Sequence, residues 1–281
     1  MESATILVIL ACAMATALLN CCLRNEEDPL AAAFMVAIGG AVVALPTLCF
    51  VGLPDAASTP YLAISTVLGC VYWIVLGRAY AAGEVGLIYP LAYGSAPIWI
   101  LILSTMVFQE TLPPKILAVI LLISIGLFIV LFSSADRSKL LDRNVFLRSA
   151  SVTIIICAYT LCDALAVRTI GNPVGYTIFL YASSGTVVFI YALVFHKKRL
   201  TKAFTNNHYL GLLWGSISLV NYCGELWAMT RAPVALVAAL RETSILFAIV
   251  IAIVWLREPV RPGRIAGAGV VAFGLVLMRL T

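Results

Sequence analysis

Residues 107–130, VFQETLPPKILAVILLISIGLFIV, and residues 255–278, WLREPVRPGRIAGAGVVAFGLVLM, read as one passage written twice. Shifted by 148 positions, Glu110 falls on Glu258, Pro114 on Pro262, Ala118 on Ala266, Gly126 on Gly274 and Leu127 on Leu275. In each copy a polar, proline-containing turn runs into an apolar segment, so the repeated landmark is the mouth and core of one membrane helix per half. Each half supplies five apolar segments, and because five is odd the second copy enters the bilayer upside down relative to the first. The expected fold is all-α: a polytopic membrane protein with ten transmembrane helices in two inverted five-helix repeats. The repeats are residues 1–132 and 147–281, with a linker at 133–146 that includes the most polar stretch of the chain, SSADRSKLLDRN.

Composition agrees. Of 281 residues 63% are hydrophobic and 11% charged, with a mean hydropathy of +1.07, which excludes a soluble domain. A span needs about 20 apolar residues to cross a core about 30 Å thick, so this length holds about ten spans with short loops. They are expected at 3–23, 30–52, 60–82, 85–108, 115–132, 147–168, 174–195, 208–229, 234–255 and 262–280. Breakers mark the joints: Asp28-Pro29, Pro54-Asp55, Gly83-Glu84, Pro113-Pro114, Gly171-Asn172-Pro173, Pro233 and Pro259. The first segment has no basic leader and runs for a full span, so it reads as a membrane helix and not as a cleaved signal. The eight cysteines lie in or beside apolar segments and read as buried thiols, neither disulfides nor metal ligands.

With ten spans both termini share one face. On the opposite face fall Arg24, Arg78, Arg137, Lys139, Arg143, Arg148, Lys197, Lys198, Arg199, Lys202, Arg257, Arg261 and Arg264; only Lys115, Arg168, Arg231 and Arg279 share the termini's face. The positive-inside rule then puts the termini outside. The net charge of +5 speaks of orientation and contact with lipid headgroups, not of nucleic acid.

A charge near a helix centre in the bilayer costs about 2.5–3.5 kcal/mol, so each one needs a reason. Asp163 lies near the end of the sixth span, Glu225 near the end of the eighth, and Arg241 with Glu242 two turns into the ninth. At 1.5 Å per residue all four fall roughly 6–12 Å below the same face. Trp214, Ser218, Asn221 with Tyr222, and Glu225 form a polar stripe at helical spacing that must face protein or water. Tyr159 with Asp163, Asn20 with Thr16 and Cys12, and Tyr89 with Tyr93 repeat the spacing on other spans. These faces suit one cavity, with Arg241, Glu242, Glu225, Asp163, Tyr93, Tyr89, Asn221, Tyr222, Tyr159, Trp214 and Asn20 as substrate-binding candidates. Glu225 and Asp163 are the candidates for proton coupling. The opposed reading is a structural ion pair of Arg241 with Asp163, Glu225 or Glu242. Three acids against one base leave two carboxylates to be protonated or to await a cation.

Glu110 and Glu258 precede helix starts, where a carboxylate favours the dipole, and read as scaffold. Gly263 and Gly267 form a G-x-x-x-G that permits close packing within the chain. No P-loop, H-E-x-x-H or G-x-S-x-G occurs, and His196 and His208 lack partners at ligand spacing. No catalytic residue, metal or cofactor is expected.

Two five-span halves, each ending in a glutamate, a proline-containing turn and a glycine-rich helix, together with PLAYGSAPIWILILS and VALVAALRETSILFAIV at corresponding positions, resemble the EamA type of the drug/metabolite transporter superfamily. The resemblance implies a bacterial inner-membrane exporter or permease of amino acids, amines or related metabolites, working without ATP. It implies a cavity walled by spans one, three, four, six, eight and nine, and termini in the cytoplasm, against the loop charges. On this chain it points to Tyr89, Tyr93, Arg241 and Glu242, with Tyr93 aligned on Arg241 and Gly94 on Glu242. The expected partners are a small-molecule substrate, membrane lipids and a coupled proton, for a monomer or a homodimer. The rival readings are a translocase of lipid-linked sugars or other amphiphiles, and a membrane scaffold or sensor that transports nothing.

Overall fold

Each apolar run bounded by proline, glycine or charge is helical in the computed structural model, which describes residues 3–51, 57–81, 85–134, 143–254 and 262–279. Among these residues the helices are α1 (Ser3–Asn25), α2 (Pro29–Val51), α3 (Thr59–Ala81), α4 (Val85–Phe108), α5 (Pro114–Ser134) and α6 (Arg143–Ile170). They continue with α7 (Pro173–Phe195), α8 (Lys197–Met229), α9 (Val234–Arg241), α10 (Ser244–Val254) and α11 (Pro262–Arg279). Among the described residues seven stretches are long and apolar enough to cross a membrane: one each in α1, α2, α3, α4, α6 and α7, and Val234–Ile251 across α9 and α10. The apolar helices at Pro114–Val130 and Pro262–Met278 are shorter. Phe50 is 88% exposed and Met106 73%, and Phe132, Phe146, Ile154, Phe195 and Val220 also face outward. Bare aromatic and aliphatic side chains on so many helices require lipid as the surrounding solvent. The chain is a multi-pass membrane protein.

The joints follow the breakers. Asp28 begins α2, its carboxylate accepting from the Ala31 amide at 3.2 Å. Asn172 does the same for α7 with Gly175 at 2.9 Å, after Gly171 turns the chain at φ 73°. Three boundaries differ from the sequence reading. Helix α8 starts at Lys197 and absorbs the expected basic loop, because nothing from Lys197 to Phe204 breaks a helix and Leu200 is buried. Residues 143–146, expected in the linker, already belong to α6. The expected ninth span is interrupted at Glu242 and Thr243. Residues 135–142 of the linker and the second copy's Glu258 lie outside the described residues.

The helices group into two compact units, each drawing on both sequence halves. The first comprises Met1–Leu18, Gly83–Cys157 and Arg231–Thr281. In it α5 packs on α11 and α4, and α9 on α4 and α5. Val119, Ile123, Leu127 and Val130 form the inward stripe of α5. A Cβ on Gly126 would stand 2.8 Å from the Gly267 carbonyl oxygen, and one on Gly267 2.6 Å from that of Gly126. Gly263 meets Ser133 and Gly274 meets Ile123, so the two helices of the repeated passage run antiparallel. The G-x-x-x-G of α11 thus packs within the chain, as expected.

The second unit comprises Leu19–Ala82 and Ala158–Thr230, with α2 packed on α3, α7 and α8. Lipid tails are as apolar as leucine, so helices associate through close backbone approach. A Cβ on Gly39 would stand 2.1 Å from the Gly211 oxygen, and one on Gly215 2.3 Å from the Gly40 amide. Gly185 likewise sits against the Ala37 carbonyl, while Ala44, Ile178 and Ala182 continue the α2–α7 seam.

Gly215→Ala is expected to lower stability by about 1–3 kcal/mol, since backbone on both sides leaves no room to relax. Gly269→Ala, where a Cβ meets nothing within 4 Å, should leave it unchanged. Thermal unfolding of the purified variants reads the contrast.

Candidate functional site

The candidate residues form two clusters, one in each unit. In the second unit Asp163, on α6, is 0% exposed. Tyr176 of α7 donates to its Oδ1 at 2.7 Å, Tyr222 of α8 donates to its Oδ2, and the buried hydroxyl of Ser65 on α3 lies beside it. One carboxylate thus gathers four helices, and among the described residues hydroxyls alone meet it. Such an arrangement suits a bilayer, where a carboxylate must find its donors in the chain.

The polar stripe of α8 faces protein, as its spacing requires. Tyr181 of α7 bonds the Ser218 hydroxyl at 2.8 Å, Tyr222 reaches Asp163, and Asn221 donates to Glu225 at 3.1 Å. Glu225 is 3% exposed, and both it and Asp163 lie within electrostatic range of the Tyr181 and Tyr222 phenols. A chain of rings borders the two acids: Tyr72 to Tyr159 at 5.6 Å, Tyr159 to Tyr222 at 6.1 Å, and Tyr222 to Tyr181 at 6.1 Å. Edge-to-face rings leave negative faces toward a cation. Trp214 lies two turns from Tyr222 toward the start of α8 and lines a separate cavity. Asn20, near the end of α1, is half-buried in the same unit.

The first unit holds Arg241 and Glu242. Helix α9 is buried on every side, so Arg241 has to be neutralised where it stands. Its Nε donates to Glu242 Oε1 at 3.0 Å, so Glu242, one of the three acids considered, is a partner of it. The backbone tightens there: Thr243 N–H bonds the Leu240 carbonyl, Ile245 that of Glu242 and Leu246 that of Thr243, all i to i−3. The Thr243 hydroxyl also takes the Leu240 carbonyl at 2.6 Å, a local bond that competes with the α-helical ladder. Tyr93 is buried on α4 in this unit; the Tyr89 side chain lies outside the described residues.

Sequence reasoning missed Tyr176 and Tyr181. A signal was present: Asp163 is near the end of α6, and α7 returns beside it after a short turn, so donors were due early in α7. It missed the tightened turn as well, where Thr243 and Ser244 were the cue.

Removing one partner of a buried ion pair strands a charge, so Glu242→Gln should cost about 3–5 kcal/mol. Arg241→Met combined with Glu242→Gln should cost less than the single change. Equal or larger loss in the double variant on thermal unfolding would show that the pair does not govern stability. For Asp163, Tyr222→Phe should cost about 1.5–3 kcal/mol by removing one charge-assisted hydrogen bond.

Comparison with known proteins adds the family. The sequence model of the EamA-like transporter family matches residues 148–280. Among curated proteins none matches the chain. A solved structure described as "Crystal structure of protein" is similar with a TM-score of 0.73 at 17% identity, over 100% of this chain and 99% of the other, a likeness of fold. Through residues 148–280 the chain is similar to the EamA-like transporter family, which lies within the drug/metabolite transporter superfamily.

Proposed function

We propose that the chain is a secondary transporter, an exporter or permease of a small polar organic metabolite of the amino acid or amine class, resident in a bacterial inner membrane. It works by alternating access without ATP, with ten crossings in two inverted halves. The observation that carries the substrate class is the chemistry of the second unit. Two buried carboxylates, Asp163 and Glu225, stand among tyrosine rings, and the partners described for them are phenols and an amide. The hydroxyl donors on Asp163 leave the negative field of its carboxylate in place, which draws an ammonium or a proton. In the first unit the Arg241–Glu242 pair offers a guanidinium that can exchange its carboxylate for that of a substrate.

The two acids divide the labour. Asp163 has a phenol on each oxygen and serves chiefly as a structural clasp. Glu225 is the residue that meets the cation, and Asn221 orients it. The satisfied state of Asp163 also favours a second reading, a scaffold in which every charge is structural.

A thermal-shift screen of the purified protein against amino acids, amines and sugars names the ligand, and proteoliposomes then report its flux. Glu225→Gln and Arg241→Ala should each lower flux at least about tenfold, the scale of one lost charge-assisted contact. Normal flux in both variants rules out both assignments. No ligand-induced shift and no flux with any compound supports the scaffold. An imposed pH jump that drives uptake marks proton coupling, and one without effect marks a facilitator.

A further inference from the structure

Away from the buried acids, the second unit contains a cavity of about 370 Å³ where α1 hands over to α2 and α8 begins. Its lining carries both charges, Glu26, Glu27 and Asp28 from the α1–α2 joint and Arg199 and Lys202 from the start of α8. Across it Arg199 approaches Asp28 at 3.6 Å and Lys202 approaches Glu27 at 3.9 Å. Both contacts exceed hydrogen-bond length, and their side chains are 39–94% exposed, so neither pair binds its partners firmly. The acidic wall is set by the fold, because Asp28 also caps α2. The floor is apolar, with Met35, Leu210 and the ring of Trp214. The Trp214 indole nitrogen is buried against the Cys22 thiol, which places that thiol at the floor of the cavity.

We propose that this cavity binds a zwitterion with an apolar body: an ammonium and an anionic group joined over a few bonds. The ammonium faces Glu26, Glu27 and Asp28. The anion faces Arg199 and Lys202 and displaces them from the acidic wall. The apolar body rests on Met35 and Trp214. The three lining acids favour a ligand that carries an ammonium over one of purely negative charge. The volume fits a small metabolite or a lipid headgroup. The inference stands apart from the transport reading, since occupancy is read at a thiol and not as flux.

Cys22 lines the cavity and is half-buried, while Cys49 is exposed and outside it, so the two thiols form a built-in reporter and reference. The full chain in phosphatidylglycerol nanodiscs is alkylated with N-ethylmaleimide and each site is followed by mass spectrometry. Phenylalanine at ten times its dissociation constant should slow Cys22 about tenfold and leave Cys49 unchanged. Phenethylamine should protect less and 3-phenylpropionate least. Arg199→Gln combined with Lys202→Gln, both exposed changes, should weaken phenylalanine protection at least about tenfold, and Glu27→Gln should weaken it in the same sense. Protection by phosphatidylethanolamine nanodiscs in place of phenylalanine keeps the zwitterion chemistry and assigns its source to lipid. No protection by either zwitterion overturns the proposal. So does equal protection by a singly charged analogue, or full protection in the double variant.

Discussion

A bilayer supplies no water to a buried polar group, so every such group in this chain has to be met by the chain itself. Asp163 shows how far that constraint reaches. Its two oxygens fix the side chains of Tyr176 and Tyr222, and thereby the registers of α6, α7 and α8 in the second unit. The isolated hydroxyls obey the same rule locally: Thr66 bonds the Leu62 carbonyl, Ser184 that of Leu180 and Thr186 that of Ala182. Each returns its donor to its own helix at little cost, and Thr66 also meets the Ser183 hydroxyl of α7 at 2.7 Å. A buried charge needs more partners than a hydroxyl does, which is why the few buried ones organise so much. Arg168 belongs to this group too, its Nε held by the Met229 carbonyl at the end of α8.

Where hydrophobic burial cannot discriminate helix from lipid, surface shape has to. The glycines of α2 and α8 bring backbone to within van der Waals contact, and those of α5 and α11 do the same in the first unit. Exposed residues such as Phe50 and Met106 play no part in that choice; they tolerate lipid. The specificity of packing therefore rests on small residues and the stability of each seam on dispersion, while the rare charges set rotation and depth.

This explains what the sequence made legible. Spans follow from hydropathy because lipid imposes one rule on every helix, and the caps at Asp28 and Asn172 follow from a side chain's own neighbours. The stripe from Trp214 to Glu225 was legible as a protein-facing surface, since α-helical periodicity is a property of one helix. The partners of that stripe were not, because Tyr176 and Tyr181 belong to another helix and periodicity carries no information across a turn. The repeat was equally two-sided. It aligns Gly126 with Gly274, yet the close contact of Gly126 is with Gly267, since antiparallel packing pairs residues that alignment does not. Interruption of the ninth span was harder to see: neither glycine nor proline marks it, and its cue, a Thr243 hydroxyl that competes locally for the Leu240 carbonyl, does not register in hydropathy.

That interruption bears on where function resides. Alignment of the halves places α4 opposite α9 and α10, and the two pack together in the first unit. Helix α4 runs unbroken from Val85 to Phe108 with Tyr93 and Gly94 at the corresponding positions, whereas its counterpart breaks where it carries Arg241 and Glu242. A duplicated helix loses its regularity only under a local demand that its twin does not face. The tightened turn keeps its backbone bonded i to i−3 and buried beside the charged pair, with the Thr243 hydroxyl on the Leu240 carbonyl. The first half keeps the unbroken form, so the break goes with the charged pair that the second half alone carries at this position.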